Sequence, residues 1–193
     1  MYRNESDQVT FTQMLYHFKI ELSDIDRNLY TSLDFRVAQH PSETAPYLLT
    51  RTLAYLLSYQ EGLEFSPQGL GNPDDPALRA LGQYGAVALW IEVGNPSLRK
   101  LHKASKVAGR VVVYTYKNEE LLRKEIQTGD VHRASEIEIH AFDGKFLESL
   151  EKVLQKNNRW SVLHQQGQLD IETGGQSVSG EVKHLRLSSP DPV

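Results

Sequence analysis

The sequence predicts an α/β protein built on a central mixed sheet flanked by helices, and three observations carry that expectation. Tyr16, Phe18, Ile20 and Leu22 alternate with His17, Lys19, Glu21 and Ser23, the period-two pattern of a half-buried strand. Ala86 to Val93 (AVALWIEV) is apolar until Glu92 and reads as a strand covered on both faces. Leu49, Leu53, Leu56 and Leu57 instead keep helical spacing, so strand and helix patterns coexist in one chain.

The elements follow in order. Asp24 to Asn28 is turn chemistry, and Leu33, Phe35 and Val37 resume the alternation, which together predict an N-terminal antiparallel hairpin. Ser42 is the expected N-cap of the following helix, with Glu43 complementing the helix dipole and Pro46 in the first turn. That helix runs to about Tyr59. Gly62 to Ser66 is a short strand, and Gly69 to Pro76 (GLGNPDDP) is an irregular loop. After the strand that ends at Val93, Gly94-Asn95-Pro96 breaks the chain and Ser97 to Ala108 forms a helix. Arg110 to Tyr116 is then a second covered strand, so the β-α-β unit should place the two strands parallel. Helices over Asn118 to Gln127 and Gly144 to Lys156 flank a strand over Glu136 to Phe142. Trp160 to Leu187 alternates weakly around Gly174-Gly175 and reads as a peripheral hairpin. Residues 1–13 are expected as a flexible leader, 14–187 as one compact domain and 188–193 as a loose tail.

Composition removes several function classes. There is no cysteine, so disulfides, thiol catalysis and cysteine-ligated metals are out, and the absence suits a reducing cytoplasm. No apolar run is long enough to cross a membrane, and the N-terminus lacks a signal-peptide core. The net charge of −4 argues against a protein that coats duplex nucleic acid, while leaving room for a local basic groove. There is no HExxH, GxSxG or Walker loop, and Gly69-Leu70-Gly71 lacks the remaining glycines of a dinucleotide fingerprint, so no organic cofactor is expected.

The informative anomaly is Glu92, an acid inside a strand that should be apolar. It either faces solvent or an ion pair at the strand end, or belongs to a site, since open α/β sheets place ligands beyond the carboxyl ends of their strands. Asp74 and Asp75 lie in a loop eighteen residues or fewer before it, and taken alone such a pair is a turn more often than a site. Glu43 is a third acid. Three such carboxylates could converge on a hard cation, because magnesium needs only one or two of them plus water and phosphate. On the next helix Arg99, Lys103, Lys106 and Arg110 recur at helical spacing as a basic stripe, either a solvated face or a surface for nucleic acid. His40, before Pro41, is read as a hydrogen-bonded structural histidine.

These residues carry a family resemblance. Asp24-Ile25-Asp26-Arg27, Ala38 to Thr44, Gly62 to Phe65, Leu89 to Pro96, Lys103-Ala104 and Val113 to Tyr116 resemble, in order, the YaeQ family of bacterial proteins. The likeness covers roughly residues 15–117. It implies a compact restriction-endonuclease-like fold of the PD-(D/E)xK superfamily, in which two acids hold magnesium or manganese and a lysine orients the attacking water. Laid on that pattern, Asp74 and Glu92 are the acids and Glu43 an additional helix acid. Gly94 stands where the lysine belongs, leaving Lys100 or Lys103 to deliver the ammonium, and Lys103 is the expected donor of positive charge near the attacking water. Three readings stay open: a metal-dependent phosphodiesterase acting on nucleic acid, a catalytically silent fold that binds nucleic acid or a regulatory partner, and a protein-interaction adaptor.

Overall fold

The computed structural model describes residues 14–66 and 72–187. The leader expected over 1–13, the tail expected over 188–193 and the Gly69-Leu70-Gly71 stretch lie outside the described residues.

The chain is a mixed α+β protein. β1 (Met14–Asp24) and β2 (Leu29–Gln39) form the predicted antiparallel hairpin, with Phe18, Ile20 and Leu22 turned inward. α1 (Ala45–Leu57) follows, then β3 (Leu63–Phe65), β4 (Leu78–Leu81) and β5 (Val87–Val93), which pair antiparallel in sequence. α2 (Leu98–Val107) crosses to β6 (Ala108–Thr115), and β5 and β6 lie parallel, as a β-α-β unit requires. α3 (Glu119–Thr128), β7 (Glu138–Phe142) and α4 (Gly144–Val153) lead to β8 (Asn157–Gln165), β9 (Gln168–Thr173) and β10 (Gln176–Leu185). The sheet order is β2-β1-β8-β9-β10-β7-β6-β5-β4-β3. No described helix is long and apolar enough to cross a membrane.

Three expectations need correction. The segment from Trp160 is not peripheral. β8 pairs parallel with β1, and β10 pairs first with β9 over residues 176–181 and then with β7 over residues 182–185. Its weak alternation reflects a sheet with one solvent face: Trp160, Val162, Leu169 and Ile171 are buried while their neighbours are polar. β4 is new, and four residues are too few to show a period. The N-cap of α1 is Thr44, whose hydroxyl accepts from the Tyr47 amide, and Ser42 instead bonds His40 Nδ1 at 2.7 Å. Residues 40–43 close a tight turn of their own, with the Glu43 amide donating to the His40 carbonyl and the His40 amide to the Glu43 carboxylate. Glu43 therefore lies outside the helix and exerts no first-turn effect on it.

Both halves of the sheet turn the same face to α1 and α4, and one apolar cluster joins them through Phe18, Leu53, Ile91, Phe146 and Trp160. Phe18 meets Trp160 edge-on at 5.1 Å. A second cluster on the other face of β5 and β6 packs Trp90, Val111 and Val113 against α2 and α3. At the Arg27 end of the first hairpin, buried Asp24 accepts from Arg27 Nε at 2.6 Å, while Arg27 also donates to the Leu56 and Tyr59 carbonyls at the end of α1. Burial alone would raise the Asp24 carboxyl, but hydrogen bonds and charge from Arg27 and His164 hold it below the usual range.

Where β10 passes from β9 to β7 it carries Gly180, and a Cβ there would fall 2.3 Å from Cγ of the Phe146 ring. The helix can approach the strand only because no side chain intervenes. Gly180→Ala is expected to cost about 1–3 kcal/mol through overpacking, read as a fall in urea midpoint with an unchanged slope. A neutral substitution would mean that Phe146 can move aside freely.

Candidate functional site at the end of β5

The alternation of β5 puts Leu89, Ile91 and Val93 in the larger core and Trp90 and Glu92 on the face covered by α2. Glu92 is thus buried at the carboxyl end of a covered strand, its side chain 4% exposed. Both oxygens have donors. Trp90 Nε1, two residues back on the same face, donates to Oε1 at 2.7 Å, and Lys100 Nζ donates to Oε2 at 2.9 Å. Lys100 reaches it because Ser97 caps α2 directly after the Gly94-Asn95-Pro96 break, so the first turn of the helix stands over the strand end. Burial raises the Glu92 carboxyl above its ordinary value, against the opposing attraction of Lys100 and the hydrogen bonds from Lys100 and Trp90.

Glu92 and Lys100 open on a cavity of about 240 Å³ whose wall also includes Tyr47, Asn72, Asp75 and Val93. Tyr47 comes from the first turn of α1. Burial pushes its phenol well up, and the charges of Glu92 and Glu43 add to the shift. The Asp75 carboxylate has no ion pair or hydrogen bond among the described residues.

The remaining sequence candidates are placed as follows. Asp74 does not line this cavity; it faces Lys103 at 3.6 Å in an exposed pair, 57% and 50% accessible. The ammonium beside Glu92 therefore belongs to Lys100, and Lys103 stands with Asp74. Glu43 turns into a buried pair with Arg51, 2.8 Å away, and burial raises its carboxyl despite that partner. Among the described residues no three His, Asp or Glu side chains form a group able to hold a metal, so the three acids do not converge. Arg99, Lys103 and Lys106 are exposed on α2. Arg110 leaves the stripe because the helix ends at Val107; it lies on β6, bound through Nε and Nη2 to Glu138, whose carboxyl that pairing holds down at about 2. His40 is hydrogen-bonded within its turn, as expected.

Gly94 has φ +80°, in the left-handed region that only glycine enters freely. A Cβ there would point at the Lys117 side chain, 3.8 Å from its Cε. Trp90 was legible in principle, since period two puts it on the Glu92 face. Tyr47 and Arg51 carry no local signal, because their partners are distant in sequence or two helical turns away.

The family model described as "YaeQ protein" matches residues 10–182. The uncharacterized protein YaeQ of Escherichia coli (strain K12) is 34% identical over 102 residues, 53% of this chain and 56% of that protein. Its Salmonella typhi counterpart is 32% identical over the same length. The matched stretch thus spans about half the length of these relatives. The crystal structure of YaeQ protein from Xanthomonas axonopodis pv. citri superposes with TM-score 0.83 at 29% identity, covering 93% of this chain and 100% of that one. That from Pseudomonas syringae gives 0.79 at 29% identity, covering 90% and 96%.

The Glu92–Lys100 pair has a testable sign. A carboxyl raised by folding binds its proton more tightly in the folded state, so its contribution to stability is fullest below the unfolded value and is lost as pH rises through the folded one. Removing Lys100 leaves the ionised form buried and unpaired. Lys100→Met should cost about 3 kcal/mol near pH 8 and clearly less near pH 5, measured by urea denaturation at both. A deficit independent of pH would show that Glu92 is not the group responsible.

Proposed function

The chain belongs to the YaeQ family, and on that footing we propose that the end of β5 is a metal-dependent phosphodiesterase site acting on nucleic acid. The observation that carries the reading is Glu92: a buried carboxylate at a strand end, with an ammonium beside it and a second acid, Asp75, across the same cavity. Asp75 precedes β4 and Glu92 closes β5, the next strand, which is the order in which the restriction-endonuclease-like pattern sets its two acids. Asp75 thus replaces Asp74 in the reading, and Lys100 replaces Lys103.

The donors suit magnesium or manganese. They are carboxylates of two residues that line a cavity of about 240 Å³, and each Glu92 oxygen keeps a lone pair beyond the one it uses. Bound between Glu92 and Asp75, the ion would polarise a phosphoryl oxygen and make its own water more acidic. The chain's residues do the rest. Trp90 fixes the orientation of the Glu92 carboxylate, and burial keeps bulk water from competing for it. Lys100 has two N–H groups besides the one given to Glu92, enough to orient a water or steady a phosphate oxygen. Arg99 and Lys106, exposed on the same helix, would follow the backbone of a nucleic acid.

A second reading has its own support. Both Glu92 oxygens are already satisfied and position 94 holds no lysine, as in a fold that retains nucleic-acid binding or a regulatory contact without chemistry.

Cleavage of labelled single- and double-stranded DNA and RNA separates the two. Phosphodiesterase activity should require magnesium or manganese and fall by about a hundredfold or more in Glu92→Gln and in Asp75→Asn, with Asp74→Asn largely unaffected. No cleavage by the wild type on any of these substrates overturns the reading. Salt-sensitive binding that weakens on replacing Arg99 and Lys106 would then favour the silent module.

A further inference from the structure

A phenol buried against other groups ordinarily finds a hydrogen-bond partner. Tyr114 does so in this fold, its hydroxyl 2.8 Å from Ser58 Oγ. Tyr47 is only half-buried, and no described residue hydrogen-bonds its hydroxyl, although Arg51, Glu43 and Glu92 all act on it electrostatically. The side chain lines the cavity that holds Glu92 and Lys100. It also arrives from α1, whereas Lys100 arrives from α2, so the two donors come to the cavity from separate helices. Lys100 in turn gives one N–H to Glu92 and keeps two.

We infer that Tyr47 is a ligand-binding residue of this cavity, its hydroxyl donating a hydrogen bond to an oxygen of a phosphate group that Lys100 also contacts. The ligand class follows from the lining. The Tyr47 hydroxyl and the two remaining N–H groups of Lys100 call for an anionic group with several acceptor oxygens, and the adjacent carboxylates call for a cation to accompany it. A phosphate chelated by a divalent ion satisfies both. A bare phosphate would be repelled by Glu92 and Asp75. The choice of phosphate rests on the phosphodiesterase reading; the position of Tyr47 does not.

The test is calorimetric titration of the full chain with inorganic phosphate in the presence of magnesium. Tyr47→Phe removes a single oxygen that bonds nothing in the protein, so the melting temperature should hold while the phosphate Kd rises about tenfold or more. Phosphate affinity unchanged within about twofold in Tyr47→Phe overturns the inference, as does the absence of saturable phosphate binding by the wild type. The two claims fail separately. If the chain binds phosphate through Tyr47 but cleaves no nucleic acid, this inference stands and the cleavage reading falls. If the chain cleaves nucleic acid with the same KM after Tyr47→Phe, cleavage stands and the inference falls.

Discussion

Strand β10 is the constraint on which the rest of the molecule depends. Its first six residues complete the half of the sheet that holds β1, β2, β8 and β9, and its last four pair with β7 in the half that holds β5 and β6. The two halves can therefore share one apolar face, and α1 and α4 are buried against it. Without that splice each half would expose a hydrophobic surface, and burial of apolar area is the dominant favourable contribution to folding. The switch is also sterically demanding, because Phe146 of α4 occupies the space a side chain at position 180 would need.

The site inherits its geometry from this arrangement. With α1 fixed against β5 and β6, its first turn brings Tyr47 to the carboxyl end of β5. The second cluster fixes α2 on the opposite face through Leu101 and Ala104, and that brings Lys100 to Glu92. The buried acids are each matched to a cation: Asp24 to Arg27, Glu43 to Arg51, Glu92 to Lys100. Burial would be several kcal/mol too expensive for any of these carboxylates left ionised and alone. Pairing does not make them equivalent. Asp24 ends below its ordinary range, with Arg27 and His164 both on it, whereas Glu43 and Glu92 end above theirs because burial outweighs Arg51 and the His40 amide at the first and Lys100 and Trp90 at the second. An acid with a raised proton affinity, facing a cavity, is the kind that responds to a ligand. Glu43 is shut away with Arg51, and that leaves Glu92.

Much of this was legible from sequence where the information is local. The β1–β2 hairpin follows from strict alternation, the parallel β5–β6 pair from a break, a helix and a second apolar run, and Glu92 from one acid in the wrong company. What failed needed information the chain carries only in three dimensions. Glu43 reads as a helix-start acid by position, yet its carboxylate is taken by its own turn and by Arg51 eight residues on. Asp74 and Asp75 are adjacent in a loop, and no periodicity says which faces the cavity. Lys100 and Lys103 are one turn apart on α2, so both looked able to reach; the capping of α2 at Ser97 decides for the first. Arg110 fits the stripe arithmetically, but the helix ends before it and Glu138 claims it. The strands after Trp160 looked marginal because half of every one of them faces water.

Gly94 bears most directly on what the site can do. Were the restriction-endonuclease-like pattern to apply, Gly94 would read as a missing lysine, and a missing lysine suggests decay. The backbone points to a different cause. At φ +80° the chain makes the turn that leads through Asn95 and Pro96 into the cap of α2. Any side chain at 94 would pay for the left-handed conformation and would start out toward Lys117. The same turn that disfavours a side chain at 94 sets the first turn of α2 over the end of β5, and so carries Lys100 to within 2.9 Å of Glu92. Glycine at 94 and a lysine beside Glu92 are thus two consequences of one turn. The carboxylate–ammonium pair at the end of β5 is made across that turn by a residue of the helix, and the backbone alone accounts for glycine at 94.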